Sequence, residues 1–454
     1  MKNRIDLLEG NILTSLTKLA VPIMATSLIQ MAYNMTDMIW IGRVGSDAVA
    51  AVGAAGMFMW LSQGFITLCR AGGQVKVGQS LGSKDIKEAT AYARNALQVC
   101  IILAILYSMT MIVFSKQFID FFMFDNAKVI QDARDYLVFI SFGLIFTFLN
   151  QVVTGLITAT GNSKTPFIAN SIGLFANIFL DPLFIFGLGP IPAMGVKGAA
   201  IATVIAQAIV FALYYLYMKQ DELFIDLKLL SKPEYNRIKQ ILIIGFPPAA
   251  QSCMFTLIAM YISRLVAGFG AAAVAVQKVG SQIESISWMT ADGFAAALNS
   301  FIAQNYGANN IDRTEKGYYT ALKISILLGI ITTSILVFLP GPIFYLFIPE
   351  KDILPLGIDY LIILGFSQLF MCVDIVTGGA FAGYGKTTLP SIVNVIFTTL
   401  RIPIALLLVK AIGLNGVWWA LTITSIIRGI LIPTMFMLLQ KKMKKHNEYK
   451  KNYE

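Results

Sequence analysis

Apolar residues run along this chain in long blocks, broken by short clusters of charge, glycine and proline. Most blocks are long enough to cross a bilayer as a helix, which takes roughly 20 residues. Reading them between turn signals predicts about twelve spans, near 14–41, 48–78, 89–114, 134–158, 165–187, 197–218, 239–267, 272–303, 318–339, 354–382, 388–411 and 415–439. The fold class this implies is an all-α polytopic membrane protein.

Within the first block the pattern breaks. Gln30, Asn34 and Asp37 follow one another at i, i+4 and i+7, so they share one face of the predicted helix. A carboxylate near a span centre costs about 2.5–3.5 kcal/mol on insertion scales and should therefore face a partner or a wet cavity. A competing reading puts Asp37 near a mouth, reaching toward Arg43. In the fifth span Asn177 and Asp181 lie one turn apart, and Pro182 follows, unable to donate a backbone hydrogen bond. That segment reads either as a kinked helix with free carbonyls or as a helix-ending turn near the surface. Thr203 adds a hydroxyl in the sixth span. Gathered around one cavity, these groups would make an oxygen-rich site for a proton or a bare alkali cation.

Laying the second half under the first, at a shift of about 225 residues, aligns Pro22 with Pro247, Gly45 with Gly270, Ala48-Val49-Ala50 with Ala273-Val274-Ala275, Gln79 with Gln304 and Gly82 with Gly307. Further along, Gly161 and Pro166 fall over Gly385 and Pro390, and Gly195 and Gly198 over Gly413 and Gly416. The chain thus divides into two pseudo-symmetric six-helix bundles. The expected domains are an N-terminal lobe over 1–220, a linker over 221–238, a C-terminal lobe over 239–440 and a basic tail over 441–454. The acidic residues do not repeat: Ile262 lies under Asp37, and the second half instead carries Glu284, Asp292 and Asp374. Glu284 and Asp292 could pair with Lys278 or Arg264, whereas Asp374 is better placed for a cavity.

Composition agrees with the pattern: 57% of the 454 residues are hydrophobic and 13% charged, and the mean hydropathy is +0.71. Lysine and arginine gather at Lys2 and Arg4, at Lys76 to Arg94, at Lys219 to Lys239 and at Lys441 to Lys451, segments that alternate to share one side. The opposite loops are sparse in basic residues, and one carries Asp120, Asp125, Asp132 and Asp135. By the positive-inside rule both termini are cytoplasmic in a cell membrane, and the net charge of +10 reports topology rather than nucleic-acid binding. Residues 1–10 lack the apolar core and cleavage site of a signal peptide, so the first span is expected to be retained. Cys69, Cys100, Cys253 and Cys372 sit in or beside apolar blocks with no metal-ligand spacing, and the single histidine, His446, lies in the tail. Gly383-Tyr384-Gly385-Lys386-Thr387 ends like a phosphate loop but lacks the earlier glycine, and reads as a cytoplasmic turn. No His-Glu-x-x-His motif or nucleophile–histidine pair speaks for an enzyme.

Pro22, the Tyr33-Asn34-x-x-Asp37 helix with Gly42-Arg43-x-Gly45, the segment Gly161 to Pro166, and Asn177-x-x-x-Asp181-Pro182 together resemble the MATE family of multidrug and toxic compound extrusion transporters. The similarity runs nearly end to end and is greatest to the DinF-like branch. The resemblance implies two six-helix lobes and export of organic cations or amphipathic drugs, driven by protons or sodium, with no cofactor. It also implies a cation site at Asp37, Asn177, Asp181 and Thr203, with Gln30 nearby, and a substrate cavity to which Asn34, Tyr33, Asp374 and Glu284 are assigned. In the NorM-like branch a C-lobe carboxylate stands where this chain has Phe255, while Asp374 matches that branch's tenth-helix aspartate. The expected partners are small organic cations and membrane lipids, with no nucleic acid, and the expected state is a monomer. The alternative keeps the fold and makes the protein a flippase for lipid-linked sugar precursors, for which Arg70, Lys278, Arg401 and Arg428 would supply a basic cavity.

Overall fold

In the computed structural model the described residues are 4–453, apart from 123, 125, 188–191, 349 and 351; the side chains of 271 and 446–453 are also outside the description. Lys2 and Asp125, counted in the charge pattern, therefore lie outside the described residues, as do the side chains of His446, Lys450 and Lys451. Among the described residues there is no strand.

The helices are α1 (Ile12–Val44), α2 (Ser46–Gly82), α3 (Ile86–Val113), α4 (Ser115–Asp120), α5 (Ala127–Ala159), α6 (Lys164–Ile185), α7 (Gly195–Met218), α8 (Tyr235–Ala267), α9 (Ala271–Gly307), α10 (Ile311–Phe338), α11 (Pro340–Phe347), α12 (Leu354–Gly365), α13 (Gln368–Gly383), α14 (Thr388–Ile412) and α15 (Leu414–Tyr453). Among the described residues ten are long and apolar enough to cross a membrane, and α12 with α13, bent by 46°, pass the same test as a pair. The remaining span is α9, 37 residues long but carrying Lys278, Glu284 and Asp292. These are the twelve expected spans; the short α4 and α11 are additional, and each follows directly on a long helix.

The repeat is written into the backbone. The α2 end places Lys84 at φ 61°, with Lys84 N–H donating to the Leu81 carbonyl and Asp85 N–H to that of Ser80. The α9 end repeats it: Asn309 has φ 59°, its N–H donates to Tyr306, and Asn310 N–H donates to Asn305. Both are helix stops built on a left-handed residue after the last turn. Asp85 and Asn310 then cap the next helices, accepting from Glu88 N–H and Arg313 N–H. Gly161 and Gly385 occupy the same left-handed position at the ends of α5 and α13.

Contacts divide the chain into two units. Unit 1 is Met1–Ile5 with Ala25–Ala249, and unit 2 is Asp6–Met24 with Ala250–Glu454, so α1 and α8 each contribute residues to both. In unit 1, α2 packs on α5, and α7 packs on α5 and α6. Gly143 of α5 and Gly173 of α6 allow the close approach of α7, since a Cβ at either would overlap Val204 or Val210. The segment before α8 runs along α3: Gln98 donates to the carbonyls of Leu229 and Ser231, Arg94 pairs with Glu234, and Arg237 with Glu88 at 2.6 Å. In unit 2, α9 packs on α13 and α14 on α15. The segment leading into α1 is fastened there by Asn305, which donates to the Leu7 carbonyl at 2.9 Å, and by Arg313, which donates to the carbonyls of Leu7, Glu9 and Gly10.

Candidate functional site

Four helices of unit 1 bring polar side chains together in an apolar surrounding. α1 supplies Tyr33 and Asp37, α5 Tyr136, α6 Asn177 and Asp181, and α7 Thr203. Asn177 and Asp181 are fully buried, and Tyr33 and Tyr136 nearly so. The one-turn spacing on α6 lets Asn177 Nδ2 donate to Asp181 Oδ1 at 3.1 Å. The Asp37 and Asp181 carboxyls face one another at interaction distance, yet Asp37 Oδ1 and Asp181 Oδ2 are buried and have no hydrogen-bond partner. The Tyr33 hydroxyl lies beside Thr203 without forming a well-shaped hydrogen bond, and Tyr136 faces both carboxyls.

Pro182 does not end its helix. α6 continues through Ile185, and Phe186 N–H donates to the Pro182 carbonyl at 3.2 Å. Asp181 is therefore inside the helix rather than in a surface turn. Nor does Asp37 reach for Arg43: the Arg43 guanidinium stacks over Trp40, 4.7 Å from the ring centroid.

Of the residues singled out in the sequence, the structure gathers Tyr33, Asp37, Asn177, Asp181 and Thr203. Gln30 and Asn34 are exposed on α1 and make no described contact with the cluster. Tyr136 has no signal in the sequence: a single tyrosine in an apolar helix carries no motif, and only packing shows where it faces. The oxygens present, two carboxylates, a carboxamide, a hydroxyl and two phenols, suit a proton or a hard monovalent cation. No group of three or more His, Cys, Asp or Glu that could hold a metal occurs among the described residues.

Glu284 and Asp374 fall in a second polar cluster, inside unit 2. Glu284 Oε2 accepts from Gln368 Nε2 at 3.3 Å, and Ser287 donates to the Gln368 carboxamide oxygen. Asp374 Oδ2 lies 3.6 Å from Arg428 Nη2, and Arg428 Nη1 donates to Asn394 at 3.0 Å. Glu284 thus interacts with Gln368, Tyr360 and Arg401 rather than with Lys278 or Arg264.

Over its length the chain is similar to proteins of known class. It is 28% identical over 431 residues to a probable multidrug resistance protein NorM of Thermotoga maritima, covering 93% of this chain and 91% of that one. A FAD transporter of Shewanella oneidensis is 24% identical over 433 residues, covering 95% of each. Among solved structures, a MOP superfamily transporter from Pyrococcus furiosus superposes with a TM-score of 0.89 at 22% identity, over 96% of this chain and 98% of that one, which shows a shared fold. The family model MatE matches twice, at residues 22–183 and 247–407, starting at Pro22 and again at its repeat partner Pro247. The chain belongs to the MatE family.

Proposed function

We propose that the protein is a secondary active exporter, carrying cationic or amphipathic organic compounds across the cell membrane in exchange for protons or sodium ions. The observation that supports this most is the facing of Asp37 and Asp181 with no donor between them. Two like charges about 4 Å apart repel by about 4 kcal/mol at an effective dielectric of about 20. A proton, a sodium ion or a cationic cargo relieves that repulsion. Competition between ion and cargo for the same negative charge is antiport in its simplest form.

In this reading Asp37, Asn177, Asp181 and Thr203 hold the coupling ion, with Tyr33 and Tyr136 beside them. Asn177 fixes Asp181 so that one carboxylate stays in place while its partner responds. Alternating access follows if ion and cargo prefer different facing states, since only such a difference can shift the equilibrium. The membrane potential supplies about 2.3 kcal/mol per charge per 100 mV. The two six-helix lobes, 1–220 and 239–440, are the elements that would rearrange, the basic segments and both termini are cytoplasmic, and a monomer suffices. The reading needs no cofactor and no catalysis. The relatives named for multidrug resistance favour drugs as cargo.

The test is dye movement in proteoliposomes containing the purified chain, with proton and sodium gradients imposed one at a time. Ethidium should move when one of the two gradients is present. If it moves equally without either gradient, the protein is not an antiporter.

A further inference from the structure

The buried charges of unit 2 do not have the same chemistry as those of unit 1. α9, α13, α14 and α15 bring Glu284, Asp374, Arg401 and Arg428 within electrostatic reach of one another. They are 9%, 5%, 9% and 8% exposed, respectively. Their formal charges cancel, but their pairing is incomplete. Arg428 takes Asp374, at 3.6 Å. Arg401 has no carboxylate at salt-bridge distance among the described residues. Its Nε donates to Thr424 at 3.2 Å and its Nη2 to Ser425 at 3.1 Å, and among the described residues Nη1 has no hydrogen-bond partner. Glu284 is held by other groups: Oε2 accepts from Gln368, the Tyr360 hydroxyl lies beside the carboxylate, and Oε1 is buried without a well-shaped hydrogen bond.

Hydroxyls orient a guanidinium but supply no countercharge, and a buried cation without one is costly. The Arg401 guanidinium carbon lies over the Phe255 ring, 5.9 Å from its centroid, and Phe255 is 48% exposed. Two complementary features therefore adjoin: a charged fork without a carboxylate partner and an accessible aromatic ring. A guanidinium fork matches carboxylate and phosphate oxygens better than any other group. A ring beside it favours a flat, unsaturated neighbour.

We infer that Arg401 is the receptor, within unit 2, for a carboxylate or phosphate carried by an aromatic ligand that stacks on Phe255. The inference rests on the exporter reading and names, within unit 2, the group that would select cargo bearing an acid. The same anionic chemistry occurs in lipid headgroups, so the test separates the two sources.

Equilibrium binding to the full chain in neutral detergent, read by fluorescence anisotropy, needs no gradient. The probes are a rhodamine dye with a free carboxylate and the methyl ester of the same dye. The parental protein should bind the acid about tenfold more tightly than the ester. Arg401→Gln should bring the two to parity by weakening the acid alone, and Arg401→Lys should keep part of the preference. Phe255→Ala, at a half-exposed position, should weaken the acid several-fold whether or not the Arg401 variants fold. Equal binding of acid and ester by the parental protein overturns the inference, as does a preference that survives Arg401→Gln or acid binding unaltered by Phe255→Ala. Displacement of the acid dye by phosphatidylglycerol but not phosphatidylcholine assigns the site to an anionic lipid headgroup, which has no ring to stack on Phe255, and overturns the aromatic-ligand inference. Displacement by soluble benzoate assigns it to free cargo, and displacement by neither contradicts the inference. Absence of gradient-driven efflux would count against the exporter reading and leave these binding results standing.

Discussion

The carboxyl of Asp37 on α1 faces that of Asp181 on α6, and each keeps one buried oxygen without a hydrogen-bond partner. Burial that leaves two acidic oxygens unmatched is destabilising for a resting structure and useful for one that must take up and give back a cation. The rest of the cluster holds this pair in place: Asn177 from one turn back, Tyr136 from α5, and Tyr33 with Thr203 alongside.

Asn177→Ala should leave the fold intact and weaken the coupling ion. A hydrogen bond to a charged acceptor contributes about 1.5–3 kcal/mol, so the half-saturating ion concentration for dye efflux should rise about tenfold or more. Titrating efflux against the driving ion measures this. An unchanged midpoint would mean that the 3.1 Å bond to Asp181 does not position the carboxylate.

Asp374→Ala should lower stability sharply. It strips Arg428 of its carboxylate inside unit 2, and breaking one side of a buried ion pair costs about 3–5 kcal/mol. Replacing both partners, as Asp374→Leu with Arg428→Met, should recover much of the loss. Thermal unfolding in detergent followed by tryptophan fluorescence compares the three. If the single and double variants melt together, the 3.6 Å pair is not a significant stabilising contact.

Lys84→Gly should stabilise the protein, although glycine usually weakens a helix. Lys84 sits at φ 61° just past the end of α2, where a side chain costs about 1–2 kcal/mol that glycine does not. The melting temperature should rise, and Asn309→Gly at the repeat position should show a smaller gain because asparagine tolerates that conformation better. A fall at position 84 would mean that the lysine side chain makes a contact worth more than the backbone relief.

Much of this was legible in the residues because membrane chains expose their constraints. Twelve apolar blocks give twelve spans, and the repeated glycines mark where the backbone must turn left-handed, as at Gly161 and Gly385. Asp37 and the Asn177–Asp181 pair stood out because polar residues in such blocks need a reason. Other features left no mark. The break between α12 and α13 falls at Phe366 and Ser367, within a continuous apolar run and without a proline, so hydropathy reads one straight span. Gln30 and Asn34 share a helical face with Asp37 but are exposed, because periodicity gives a direction and not a distance. In the sequence Arg401 is one of four scattered cations; only the packing of α14 against α15 reveals that hydroxyls hold it, with no carboxylate at salt-bridge distance among the described residues.

The exchange of ion for cargo at the Asp37–Asp181 pair is tested most directly by ethidium efflux from proteoliposomes holding equal amounts of parental protein and Asp37→Asn, under whichever gradient drives the parental chain. The variant keeps the size of the side chain and removes its charge, so it should insert and elute as the parental protein does. Gradient-driven efflux should fall at least about tenfold. Efflux at the parental rate, with the same dependence on the gradient, would contradict the account.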